Sequence, residues 1–118
     1  MSSSFPFSSS LQAGPFIFIS GKVGTHPETR DIVKGDISAQ TRQVLENLAA
    51  ELEQYGMSLD NAVKTTVFLT DMRKFSEMNE VYREAFHRTM PSRSCVSVTA
   101  LPHPDALVEI EMIAYRKE

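Results

Sequence analysis

The 118-residue chain is 42% apolar with a formal net charge of −3, enough material for one core and expected to be one domain over residues 1–118. That balance argues against a nucleic-acid binder, which would show a basic face, and no apolar run reaches the length needed to cross a membrane. The start, Met1-Ser2-Ser3-Ser4, lacks the basic region and long apolar stretch of a secretory signal; Cys95, the only cysteine, leaves no internal disulfide and suits a reducing cytoplasm, the expected location.

Two serine triplets give the first ten residues a low-complexity look, with residues 1–4 expected to fray and Phe5 and Phe7 expected to hold the next segment down as a strand. Gly14-Pro15 signals a turn, so Phe7 to Ala13 and Phe16 to Gly21 are read as a hairpin. The continuous run Phe16 to Ile19 fits a buried strand. Gly24 to Gly35 is polar and holds Pro27, which predicts a surface loop. Val44, Leu45, Leu48, Leu52 and Tyr55 then form one helical stripe, with Asp36 or Ser38 as cap and Gly56 as the left-handed terminator. Ala62 to Leu69, rich in β-branched residues, predicts a strand. Met78, Val81, Tyr82, Ala85 and Phe86 mark a second helix over 76–88. Ser94 to Ala100 and Leu107 to Arg116 are read as strands joined by a proline-punctuated loop. The order β-β-α-β-α-β-β describes an α+β fold with two helices packed on one face of a mixed sheet.

Such a sheet keeps a second face. In the last strand Val108, Ile110, Met112 and Ala114 suit the helices, while Glu109, Glu111, Ile113 and Tyr115 point away. Val96 and Val98 are expected on the core side, which sends Arg93 and Cys95 outward with the glutamates. Val63, Thr65, Val67 and Leu69 are expected to face the helices and Phe68 to face away. Two helices cannot cover both faces, so a closed homo-oligomer is expected. If the last two strands pair as a hairpin, Arg93 and Glu109 stand roughly 13–20 Å apart. A small substrate touching both would then draw them from neighbouring subunits.

The stretch Pro91-Ser92-Arg93-Ser94-Cys95 places a permanent cation at a strand mouth. Its fork of donors matches two carboxylate oxygens at once, although a surface ion pair is the plainer use of such a residue. His26, His87 and His103 lack ligand-like spacing, so no metal site is expected. No histidine is placed to activate Cys95 as a nucleophile.

Five collinear blocks carry a further signal: Phe18-Ile19-Ser20-Gly21, Lys64-Thr65-Thr66-Val67-Phe68, Met78-Asn79-Glu80-Val81-Tyr82, Pro91 to Val96, and Glu109 to Ala114. Together they resemble the RidA family (reactive intermediate deaminase A, the YjgF-type proteins) over nearly the whole chain. The resemblance implies a chorismate-mutase-like fold and a homotrimer with sites between subunits. It also implies hydrolysis of 2-imino acids and their enamine tautomers, such as those of 2-aminoacrylate, to 2-keto acids and ammonia without a cofactor. By the same resemblance Arg93 would bind the substrate carboxylate and Glu109 would position or activate water. Ser20, Gly21, Cys95 and Asn79 would line the pocket. Phe7 stands where the family usually has a pocket tyrosine, so a phenol is missing. Glu111 reads as an interface ion-pair partner rather than a catalyst. Two other functions compete with the deaminase: a non-catalytic module holding small carboxylates or a protein partner, and a ribonuclease, which the acidic composition disfavours.

Overall fold

The computed structural model describes residues 5–117, among which the chain forms five strands and two α-helices; the fraying expected of residues 1–4 lies outside the described residues. In chain order these are β1 (Ser10–Ala13), β2 (Phe16–Val23), α1 (Ile37–Glu53), β3 (Ala62–Leu69), α2 (Phe75–Glu84), β4 (Ser92–Ser97) and β5 (Val108–Tyr115). The sheet order is β1-β2-β5-β3-β4, antiparallel except for the parallel pair β3 and β4. Both helices bury their stripes in one core with Ile17 and Ile19 of β2, Val67 and Leu69 of β3, and Val108, Ile110, Met112 and Ala114 of β5.

Local chemistry explains the helix ends. The Asp36 side chain accepts hydrogen bonds from the backbone N–H groups of Ser38 and Ala39, satisfying donors that α1 leaves free. Past its other end Gly56 adopts φ 70°, a left-handed conformation that costs glycine nothing, and the Met57 N–H returns to the Leu52 carbonyl. The second helix is shorter than its apolar pattern suggests. It stops at Glu84, while Phe86 is buried from the segment beyond.

The expected pairing of the last two strands is wrong. β4 lies beside β3 in parallel, Thr65 opposite Arg93 and Val67 opposite Cys95, while β5 sits between β2 and β3. A helical crossover through α2 permits the parallel pairing, and the loop after β4 then carries the chain back over β3. This reverses the expected parity. Thr65 is fully buried on the helix side, so Arg93 and Cys95 face the helices, and Val96 is 44% exposed on the other face. On an edge strand a valine does not have to mark the core, because the outer sheet surface is itself apolar here.

Three smaller expectations also fail. Phe16 and Phe18 are exposed and only Ile17 and Ile19 are buried, so the continuous apolar run serves two different faces. Val63 sits in a register shift of β3 and is exposed rather than facing the helices. Phe7 precedes the first strand, which starts at Ser10. The outer face matches expectation at Phe68, Glu109, Glu111, Ile113 and Tyr115; Leu11, Phe16 and Phe18 join it, with Phe16 packed against Phe18 and Tyr115 at ring separations of 6.3 and 5.2 Å.

Candidate functional site

The predicted site residues fall into two groups on opposite faces of the sheet. The first is built around Arg93 at the β4 edge. Its Nη1 donates to Asn79 Oδ1 at 2.8 Å, and its guanidinium lies 4.7 Å from the Tyr82 ring centre and 5.6 Å from that of Phe75. Phe75, Asn79 and Tyr82 follow one another at i, i+4 and i+7, one stripe of α2 laid against the strand. Aromatic faces attract a weakly hydrated, planar cation, so the rings hold the guanidinium without neutralising it. Among the described residues Arg93 forms no ion pair. Tyr82 is fixed in turn by a 2.6 Å hydrogen bond with the buried Thr65 hydroxyl, and burial pushes its phenol up in pKa. Sequence reasoning missed Phe75, Tyr82 and Thr65 as supports, yet the helical spacing of the two rings about Asn79 was there to be read.

Cys95, two residues along, points to the same side and is partly buried against the core. Burial raises its thiol pKa more strongly than the Arg93 charge lowers it, which leaves the sulfur a thiol rather than a nucleophilic thiolate.

The second group sits where β2 is irregular, between Ile19 and Lys22. This bulge contains Ser20 and Gly21, and Glu109 of β5 lies directly over it. A Cβ built on Gly21 would stand 2.3 Å from Glu109 Oε2, so the close approach needs glycine. Burial raises the Glu109 carboxyl pKa and the neighbouring Glu111 charge raises it further. Ser20 donates from Oγ to the Ser8 carbonyl at 2.6 Å, and its N–H bonds the Ser9 carbonyl at 3.0 Å. Those bonds bring the strap of residues 5–9 alongside. Phe7 is 57% exposed there and lines a cavity of about 350 Å³ with Leu11, Phe18, Ser20 and Glu111.

Within one chain the two groups do not converge. Thr65 links Arg93 to Met112 across the sheet, about 10 Å, and Glu109 lies three residues further along β5, about 10 Å more. Arg93 faces the helices and Glu109 faces away. Placing both on the outer face, as the strand alternation suggested, was therefore a mistake for Arg93 alone. Among the described residues no group of three or more His, Cys, Asp or Glu side chains could hold a metal ion, and no helix is long and apolar enough to cross a membrane.

A two-helix, five-stranded α+β sheet, with an arginine on its β4 edge that forms no ion pair among the described residues and a glycine-seated carboxyl on its central strand, defines a class of small proteins. The chain matches the family described as Endoribonuclease L-PSP over residues 1–116, and it belongs to that RidA/YjgF family. It is 52% identical to a RutC family protein of Pyrococcus horikoshii over 112 residues, 95% of this chain and 88% of the relative. Among solved structures it resembles RidA of the Antarctic bacterium Psychrobacter at 38% identity, with a TM-score of 0.89 over 97% of this chain and 91% of the other. Escherichia coli TdcF with bound serine is similar at 36% identity, TM-score 0.89, covering 98% and 91%.

Proposed function

We propose that this chain is a Rid-type deaminase acting on 2-imino acids and their enamine tautomers, of the 2-iminopropanoate and 2-iminobutanoate kind. Its site is shared between protomers of a homotrimer. The observation that carries the reading is Arg93, a guanidinium aimed by Asn79 and two rings yet paired with no carboxylate among the described residues. A cation prepared in this way suits an acid group supplied from outside the chain. Similarity to a protein seen with serine, itself an acid with nitrogen on the neighbouring carbon, supports the same substrate class.

The opposite facing of Arg93 and Glu109 supports a composite site. Arg93 stands at the sheet edge and Glu109 beside an apolar outer surface that carries Phe16, Phe18 and Tyr115. Covering that surface with a second copy would remove apolar area from water and bring a partner's edge toward the glutamate. In the shared cleft Arg93 grips the carboxylate, with Cys95, Asn79, Ser20, Gly21 and Phe7 shaping the walls. Water adds to the C=N carbon as Glu109 takes its proton and passes it to nitrogen. The hydroxyl proton then passes to that nitrogen as the carbon–nitrogen bond breaks, so ammonia leaves and the keto acid remains. Orientation and proton transfer suffice for so reactive a bond, so the reading requires no cofactor. A cytoplasmic location belongs to the same reading.

The test is ammonia release from imines generated in situ by a pyridoxal-phosphate dehydratase. The native chain accelerates release, and Arg93→Ala loses about 10- to 100-fold in kcat/KM, the worth of one charge-assisted contact, while still unfolding cooperatively. Unchanged acceleration in Arg93→Ala would remove the anchor. Keto-acid binding without turnover in the native chain would favour the non-catalytic module.

A further inference from the structure

The strap of residues 5–9 is held by a polar cluster that the proposed chemistry does not use. Ser9 Oγ donates to Glu51 Oε1 at 3.0 Å and accepts from Lys22 Nζ, which also stands 3.6 Å from Glu51 as an ion pair. Ser10 Oγ donates to the other oxygen, Oε2. Since the Ser10 hydroxyl has only one hydrogen, the Tyr55 hydroxyl, 2.7 Å away, must donate to it. One carboxylate of α1 thus binds two consecutive serines at the junction of strap and β1, with Lys22 closing the cluster from β2.

The geometry has a consequence at the site. The strap is a wall shared by two cavities. On one side is an open groove of about 1200 Å³ reaching Gly21 and Lys22; on the other is the about 350 Å³ cavity bounded by Phe7, Phe18 and Ser20. The Phe5 and Phe7 rings, both carried by the strap, stack at 5.4 Å. Its ties to the bulge are the Ser20 bonds to the carbonyls of Ser8 and Ser9; its ties to α1 run through Glu51.

We infer that Glu51 is a positioning residue that, through Ser9 and Ser10, locks the Phe7 strap against the sheet and so limits the size of the imine side chain admitted beside Ser20 and Gly21. The inference rests on the deaminase reading. With the lock intact Phe7 is a fixed wall that favours the smallest substrates. Without it the wall swings, small imines lose a contact, and branched ones gain room.

The experiment compares native protein with Glu51→Ala, Glu51→Gln and the double variant Ser9→Ala/Ser10→Ala. Substrates are 2-iminopropanoate and a branched 2-imino acid made in situ by an amino-acid oxidase, and hydrogen exchange is followed over residues 5–11. In Glu51→Ala the preference for the small imine falls roughly tenfold, the scale of one or two methylenes in a pocket. The change comes through KM, with kcat on the small imine held within about twofold. Exchange in the strap quickens, the double serine variant reproduces both effects, and Glu51→Gln, which keeps one acceptor oxygen, recovers part of each. An unchanged preference, an equal loss on both substrates, or unaltered exchange in all variants overturns the inference. Native protein that hydrolyses neither imine sinks the deaminase reading, and the selectivity claim with it, before any variant is compared.

Discussion

Adding a single methyl group at Gly21 separates catalysis from folding. The new Cβ would meet Glu109 Oε2 at 2.3 Å, Cδ at 2.8 Å and Cγ at 3.0 Å. Ordinary contact needs about 3.4 Å, so the carboxyl must withdraw by roughly 1 Å. The obstacle is the far end of a flexible side chain and Gly21 has no positive φ, so the backbone can stay where it is. Stability therefore changes little, because loss of the close fit is offset by about 0.4–1 kcal/mol from a less flexible unfolded chain. A catalytic group displaced by 1 Å, in contrast, costs on the order of 100-fold in rate. The assay pairs thermal unfolding with ammonia release. A Gly21→Ala protein with a native melting temperature and about one-hundredth of the native kcat is the expected result. Native kcat would refute the view that the position of Glu109 matters; a collapsed melting temperature would refute the view that Glu109 yields.

Other predictions follow from the same contacts. Glu109 has a raised pKa, through burial and then the Glu111 charge, so the acid limb of the rate profile should lie above the ordinary carboxylate range, and Glu111→Gln should move it down. The linked stability has a definite sign: the folded chain holds the Glu109 proton more tightly than the unfolded one, so that contribution is present at low pH and is lost as pH rises through the raised value. Denaturation midpoints of Glu109→Gln against the native chain, followed upward in pH from the ordinary carboxylate range, measure it. Tyr82→Phe keeps the ring beside Arg93 but orphans the buried Thr65 hydroxyl; urea unfolding should show a loss of about 1–3 kcal/mol. Phe18→Asp puts a charge on the apolar outer face. Sedimentation should show a trimer for the native chain and smaller species for the variant, and a native monomer would remove the composite site.

Much of the candidate site was legible without coordinates, but as separate parts. The block of Pro91 to Val96 identified Arg93, and alternation in β5 correctly put Glu109 on the face away from the helices. The same alternation misplaced Arg93. It assumed that Val96 must be core, whereas the aliphatic stem and planar head of arginine pack between Tyr82 and Phe75 as well as an apolar side chain would. The Glu51 cluster was invisible for a different reason: its members, Ser9, Ser10, Lys22, Glu51 and Tyr55, are ordinary polar residues bonded across up to 45 positions, and no local pattern joins them.

By itself the sequence determined the element types, the helix caps and the inward rows of α1 and β5, because these depend on short-range periodicity and on backbone preferences at Asp36 and Gly56. Tertiary structure alone decided that β4 joins β3 rather than β5, which way Arg93 faces, and that Gly21 lies beneath Glu109. Strand order depends on how a crossover helix packs across the whole sheet, and a close approach between β2 and β5 depends on a bulge whose register only the partner strand sets.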